Sequence, residues 1–212
     1  MKRLLFLTIL YVIAIPLFVG CEKTHETTYQ SYSVVYTSTD GKVIDCGLGD
    51  DWICSNVYHN GYGVITIISP KPLTEISLTL FSGEDDSLES IIIPDGITKI
   101  GFYAFDYCSS LESVTIPDSV TSIGSGAFYS CDSLKSVTIP DSVTTIGYRA
   151  FYCCSSLTSV YCRPTTPPTG DDFMFFDNAS NRKIYVPMES VEAYKIAEYW
   201  RDYADAIVGY DF

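Results

Sequence analysis

Eight cysteines, two histidines and 26 acidic residues are the groups in this 212-residue chain that could carry chemistry. Three thiols, Cys108, Cys131 and Cys154, recur at a constant spacing of 23 residues. Three carboxylates, Asp95, Asp118 and Asp141, recur at the same spacing. A row of thiolates could hold a soft metal, yet three sulfurs in a line lack the tetrahedral closure that zinc adopts. A thiol inside a fold otherwise behaves as a small apolar group, so the cysteine row reads as an inward ladder. A row of carboxylates could hold Ca²⁺, which takes oxygen ligands. The alternative is that each aspartate stabilises its own turn by local hydrogen bonds, and the lack of obvious further ligands favours it. Asp85-Asp86 and Asp171-Asp172 could serve as glycosidase carboxylates. Nothing in the sequence sets two of them across a cleft, and they read as solvated loops. His25 and His59 both precede the regular region, which leaves it few general acids or bases. Cys46 and Cys54 are a candidate disulfide if the chain is exported. Cys153 should point outward beside Cys154, and Cys162 has no assigned role. No G-x-S-x-G, H-E-x-x-H or P-loop occurs. An enzyme is therefore not expected, nor any catalytic residue, metal site or cofactor.

The common spacing belongs to whole segments. SLESIIIPDGITKIGFYAFDYCS starts at Ser87, SLESVTIPDSVTSIGSGAFYSCD at Ser110 and SLKSVTIPDSVTTIGYRAFYCCS at Ser133; SLTSVYCRP opens a fourth copy at Ser156. Self-similarity at one fixed period marks a stacked repeat architecture. In the second copy Leu111, Val114, Ile116, Val120, Ile123, Ala127, Phe128 and Cys131 are the apolar positions. One isolated turn of chain cannot cover so many. Stacked coils bury them as ladders such as Leu88/Leu111/Leu134/Leu157 and Ile100/Ile123/Ile146. Ser113 to Ile116 alternates and is β-branched, which predicts a short strand. Pro117 lacks an N–H and ends it, Asp118-Ser119 forms a turn, and Gly124 permits a bend. Ser125 to Cys131 is predicted to be a short helical or 3₁₀ turn.

The blocks L-x-S-V-T-I-P-D-S-V-T-x-I-G-x-x-A-F-x-x-C at 111–131 and 134–154 closely resemble the BspA-like branch of leucine-rich repeats. The block at 88–108 is slightly diverged. Tyr36 to Lys42 and Ser55 to Tyr58 resemble the short β region that precedes such repeats, and Tyr185-Val186-Pro187 with Val191 to Tyr194 resembles their closing segment. The expected fold is an α/β-type repeat solenoid: a right-handed leucine-rich repeat with 23-residue coils, a short parallel β-sheet on one face, an irregular β N-cap and an α/β C-cap.

The start of the chain reads as an address. Lys2 and Arg3 precede an apolar run from Leu4 to Phe18, interrupted by Thr8 and Pro16, and Val19, Gly20 and Cys21 follow. This is the build of a secretory signal. The run is shorter than the ~20 residues that span a bilayer. Leu17 to Cys21 resembles a bacterial lipobox, with Phe18 where leucine is usual. That resemblance implies cleavage before Cys21 and lipidation of Cys21; an ordinary cleaved signal is the alternative. Expected boundaries are a signal peptide at 1–20, a lipid-anchored flexible tether at 21–33, an N-terminal β cap at 34–63, the solenoid at 64–163 and a C-terminal cap at 164–212. Val64 to Asp86 reads as a degenerate coil, with apolar spacing at Ile67, Ile76 and Leu80. Phe173, Phe175 and Phe176 are expected to cover the last coil.

What the repeat does not absorb is a set of variable outward positions rich in tyrosine. Tyr103, Tyr107, Tyr129, Tyr148, Arg149, Tyr152 and Tyr161 form the candidate binding surface. Tyrosine supplies rigid amphipathic contact area, favoured at recognition surfaces. Packing of these rings against the next coil is the alternative. The net charge of −13, near −15 after loss of Lys2 and Arg3 (−13 − 2), excludes nucleic acid as a natural partner. The BspA-like family is associated with surface attachment, which implies an extracellular protein partner, matrix or cell-surface. The membrane is reached through the lipid anchor only. The expected place is the outer membrane or cell surface, as an exported lipoprotein. A glycan-binding or nutrient-capture lipoprotein and a structural envelope spacer are the alternatives.

Overall fold

The computed structural model describes residues 30–40, 53–69, 72–76 and 87–212. Cys21, His25 and Cys46 lie outside them, as do the proposed signal and Leu80. Three antiparallel strands come first: β1 (Gln30–Ser38), β2 (Ile53–His59) and β3 (Tyr62–Ser69), in the order β2-β3-β1. Asn60 and Gly61, both left-handed with φ of 54° and 88°, make the two-residue turn between β2 and β3. Asn-Gly suits that turn because both of its central residues need positive φ. Val34, Tyr36, Ile65 and Ile67 alternate inward and are buried in the core.

The chain then coils. One row of parallel strands contains β5 (Leu88–Ile92), β7 (Ser113–Thr115), β9 (Ser136–Ile139), β11 (Ser159–Cys162), β12 (Lys183–Pro187) and β13 (Ile207–Tyr210). A second row, of two-residue strands, contains β4 (Glu75–Ile76), β6 (Lys99–Ile100), β8 (Ser122–Ile123) and β10 (Thr145–Ile146). β1 joins the first row by pairing antiparallel with β5. Threonines peg the coils together: Thr121 Oγ1 donates to the Thr98 carbonyl at 3.1 Å, and Thr144 Oγ1 to that of Thr121 at 3.2 Å, each 23 residues away. Ser119 and Ser142 donate to Ile97 and Val120 carbonyls in the same manner. β7 and β9 lie side by side without a ladder among the described residues. Val114 is only half-buried there, whereas Ile91, Val137 and Val160 are buried.

Several expectations need correcting. Val64 does not open a coil: it lies in β3, and the antiparallel unit runs past residue 63 to Ser69. One parallel sheet was expected from sequence and two rows occur. The short helical or 3₁₀ turn expected at Ser125 to Cys131 is a run of separate turns and not a helix, with three-residue closures such as Tyr129 N–H to the Gly126 carbonyl at 3.0 Å. Left-handed residues flank each Ala-Phe pair or its equivalent: Tyr103 and Tyr107, Gly126 and Ser130, Arg149 and Cys153, Phe173 and Asp177. The intervening N–H groups therefore bond along the stack, Phe105 N–H to the Ala127 carbonyl and Phe128 N–H to that of Ala150, both at 2.8 Å. The stack also does not stop at residue 163. β12 and β13 pair parallel beyond it, and Thr169 bridges Thr145 in the second row. Phe175 does not merely cover the last coil but joins its phenylalanine stack. Phe105, Phe128, Phe151 and Phe175 have successive centroids 5.1, 5.1 and 5.3 Å apart and rings within 10° of parallel.

A short helix, α1 (Val191–Ile196), follows β12. Buried side chains tie it and its neighbours to the proline-rich loop. Tyr194 donates to the Pro164 carbonyl at 2.7 Å, the Trp200 indole to that of Pro168 at 2.7 Å, and Ser190 to that of Thr165 at 2.8 Å. Pro164 and Pro168 are buried, and their carbonyls would otherwise lack partners. No helix among the described residues is long and apolar enough to cross a membrane.

Candidate binding surface

The turns carrying the left-handed residues form a ridge along the solenoid. Because each coil places the same position in one row, aromatic side chains near the end of each copy land on one another. Tyr129 stacks on Tyr152 at 5.3 Å and 7°, and Tyr152 on Phe176 at 5.8 Å and 19°. Tyr107 tilts against Tyr129 at 5.4 Å, and Phe173 meets Phe176 edge-on at 5.4 Å. Tyr103 lies 6.3 Å from Tyr129 and 4.2 Å from Phe102. The Arg149 guanidinium carbon sits 4.8 Å from the Tyr148 centroid, 4.8 Å from that of Tyr152 and 5.8 Å from that of Phe173.

Tyr103, Tyr107, Tyr129, Tyr148, Arg149 and Tyr152 thus share one ridge. Tyr161 does not belong with them. It faces outward from β11, stacked on Tyr185 at 4.7 Å, with Tyr210 edge-on at 5.5 Å. Non-core variation shows that a side chain faces out, not which face of the coil it leaves. Phe173 and Phe176 are ridge residues that the sequence reading did not place there, and Phe102 joins them. Phe176 occupies the row of Tyr152 but lies 24 residues on (176 − 152), so one inserted residue hides it.

The ridge is both packed and exposed. Tyr103, Tyr129, Tyr148, Arg149 and Tyr152 are half-buried against each other, while Phe102, Tyr107, Phe173 and Phe176 are about half exposed. Burial, then the neighbouring Tyr107 phenol, pushes the Tyr129 pKa up, so its hydroxyl stays neutral and able to donate. Parallel stacking occupies ring faces and turns edges and hydroxyls outward. Tyr107 and Phe173 close the two ends of the stack.

Two of the inward thiols donate to backbone carbonyls on a neighbouring coil. Cys131 donates to the Phe105 carbonyl and Cys154 to that of Phe128, each at 3.1 Å. The inward cysteine ladder therefore also satisfies backbone. Burial raises Cys131 well above an ordinary thiol, and raises Cys162 to about 12 beside the Tyr194 hydroxyl. Cys153, half-buried on the ridge, is raised by burial and by the Asp177 carboxylate, 3.8 Å away. Thiols raised this way are poor nucleophiles. In the aspartate row, Asp118 and Asp141 share Arg163 at 3.9 and 3.6 Å. No group of three metal-binding side chains occurs among the described residues.

Residues 74–198 match the family described as the BspA type leucine-rich repeat region, in six copies. No curated protein matches the chain. Among solved structures, a Treponema pallidum leucine-rich repeat protein is 25% identical with a TM-score of 0.50, over 64% of this chain and 61% of its own. A Bacteroides ovatus leucine-rich repeat protein is 26% identical over 46% of this chain and 37% of its own, with a TM-score of 0.26. A leucine-rich cell surface protein of Faecalibacterium prausnitzii is 21% identical over 50% of this chain and 36% of its own, with a TM-score of 0.37. The chain thus spans less than two thirds of the length of these proteins. With the repeat, the stacked coils and a family match over more than half of its length, the chain belongs to the BspA type leucine-rich repeat proteins.

Proposed function

We propose that this chain is a non-enzymatic surface lipoprotein, exported and anchored through Cys21, whose aromatic ridge binds an extracellular protein. The observation that carries the reading is the stacking of Tyr129, Tyr152 and Phe176 with both ends closed. A sugar ring stacks on a free aromatic face, and this ridge presents edges. Ring edges, phenol hydroxyls and an arginine suit the side chains and backbone of a protein, where tyrosine and arginine concentrate binding energy. The family match and the leader's resemblance to a lipoprotein signal support placement outside the cell. In the same proposal the coils wind right-handed, the sense parallel crossovers take. The antiparallel strands and the α1 region close the two ends of the stack, as a solenoid requires.

The test uses the full chain on intact cells and, purified in detergent, on a matrix-protein panel and a glycan array. Protease shaving of the cells should release the domain. Capture of a matrix or cell-surface protein should be lost in a Tyr129→Ala/Tyr152→Ala variant that keeps its circular dichroism and melting profile. Glycan binding lost in that variant, with no protein captured, would overturn the reading in favour of glycan capture. Silence on both panels would favour a structural spacer.

A further inference from the structure

Arg149 has an unusual setting. In the preceding copy the equivalent position is Gly126, and both residues are left-handed, with φ of 54° for Arg149 and 63° for Gly126. Glycine adopts that conformation without steric cost and arginine does not. The side chain is nonetheless held, with Tyr148 and Tyr152 on its guanidinium and Phe173 beyond. Its Nε is buried and meets no hydrogen-bond acceptor. No carboxylate lies within ion-pair distance of it among the described residues, as is also the case for Arg182, Lys183, Lys195 and Arg201, whereas Lys99 and Lys135 each have one and Arg163 has two. In a chain of net charge −13 with twice as many acidic as basic residues, this ridge cation has no ion-pair partner among the described residues.

The aromatic walls explain how. Ring faces attract a guanidinium electrostatically and cover its planar surfaces. With Nε itself buried, what remains for a ligand is the in-plane edge formed by the two terminal Nη groups, where the N–H fork donates. That fork matches the two oxygens of a carboxylate and is already oriented, so little side-chain freedom is lost on binding. The surroundings narrow the ligand further. On the next coil Asp172, whose carbonyl accepts from the Arg149 backbone N–H at 3.1 Å, and Asp177, 3.8 Å from the Cys153 thiol, are exposed. A strongly acidic segment would be repelled by them and by the chain's net charge.

Building on the proposed protein-binding role of the ridge, we infer that Arg149 is a carboxylate-binding site for a polypeptide segment bearing one Asp or Glu between basic residues. The carboxylate pairs with the guanidinium fork, and the flanking cations face Asp172 and Asp177. Tyr148 and Tyr152 act as positioning residues that hold the fork.

The test is NMR titration of the ¹⁵N-labelled full chain in micelles with two probes, the capped peptides Lys-Glu-Lys and Lys-Gln-Lys. The Arg149 Nε–H resonance should shift saturably with the glutamate peptide and not with its glutamine isostere. Arg149→Lys keeps the charge and loses the fork, and should weaken binding about tenfold. Arg149→Gly, which suits the backbone conformation, should abolish it while the fold is retained. Equal shifts with both peptides, or undiminished affinity in Arg149→Lys, would overturn the site. Loss of this site with matrix-protein capture intact would leave the wider ridge reading standing. Peptide binding without any matrix capture would do the reverse.

Discussion

Gly124 rides against the backbone of Gly101 on the preceding coil. A β-carbon built at Gly124 would lie 2.8 Å from the Gly101 carbonyl carbon and 2.9 Å from its oxygen. Gly147 meets Ser125 N in the same way at 2.6 Å. The glycines after β8 and β10 are there for close approach between coils. Backbone atoms cannot move aside as a side chain can. Gly124→Ala should therefore destabilise by about 1–3 kcal/mol, as overpacking does. Gly96 makes a useful contrast, since nothing lies within 4 Å of its β-position and only its φ of +92° opposes alanine. Urea midpoints of the two variants should both fall, and the Gly124→Ala effect should depend on Gly101. If Gly124→Ala unfolds at the wild-type midpoint, the coils do not meet there.

How much of this was readable in advance follows from the same geometry. Leu111, Ile123, Phe128 and Cys131 were legible as core because stacking forces identical residues into rows, and the repeat displays those rows. The second strand row was not, because two residues such as Ser122-Ile123 are too few for alternation to show. The hairpin around Asn60-Gly61 carried its own signal in that dipeptide, outweighed by a reading of Val64 as the start of a coil. The continuation past Cys162 was hidden by divergence and by the extra residue before Phe173. Tyrosines such as Tyr152 were legible as outward. Only the structure separates the ridge from the strand face that holds Tyr161.

Phe128 is sandwiched between Phe105 and Phe151, each centroid 5.1 Å away, and is fully buried. Tyr129, the next residue, points to the ridge and is only half-buried. Removing a buried ring leaves a cavity, so Phe128→Ala should cost about 3–5 kcal/mol. Removing a ridge ring forfeits mainly ring–ring contact, so Tyr129→Ala should cost about 1 kcal/mol. Chemical denaturation of the two variants tests this. The difference matters for function, because ridge variants that fold are what make the binding tests readable. A Tyr129→Ala cost as large as that of Phe128→Ala would make the ridge part of the core.

The buried thiols give stability a dependence on alkaline pH. Burial raises Cys162 to about 12 and raises Cys131 in the same direction. An unfolded thiol ionises near ~8.5. Below that value both states hold the proton and the stability contribution is complete. Above it the unfolded chain releases the proton while the folded chain keeps it, so stability is lost from there up to about 12. The slope is about 1.4 kcal/mol per pH unit for each such thiol. Under reducing conditions the urea midpoint should hold steady to about pH 8 and fall by pH 10. Cys162→Ala should flatten the fall. An unchanged slope in that variant would show that its thiol is not buried against ionisation.

The seam between β7 and β9 should be the weakest joint of the first strand row. β11 is laddered to β9 through Val160 and Val137, and β7 to β5 through Val114 and Ile91. No ladder joins β7 to β9 among the described residues. What crosses the seam is the ion pair from Lys135 Nζ to Glu112 Oε2 at 2.7 Å, with both side chains about half exposed. An exposed pair of this kind contributes at most about 1 kcal/mol. An amide without a protected acceptor opens at low cost, so local exchange reports such a joint. Arg163 N–H donates to the Ile139 carbonyl, so by alternation Ile139 and Val137 bond towards β11 and the Thr138 amide faces β7. Hydrogen exchange of the Thr138 amide should therefore outpace that of Val160, whose strand is laddered on both sides. Lys135→Ala should leave the melting temperature nearly unchanged and speed exchange at Thr138 further. Equal protection at Thr138 and Val160 would mean that the strands pair across the seam in solution, and that the solenoid has no preferred place to part.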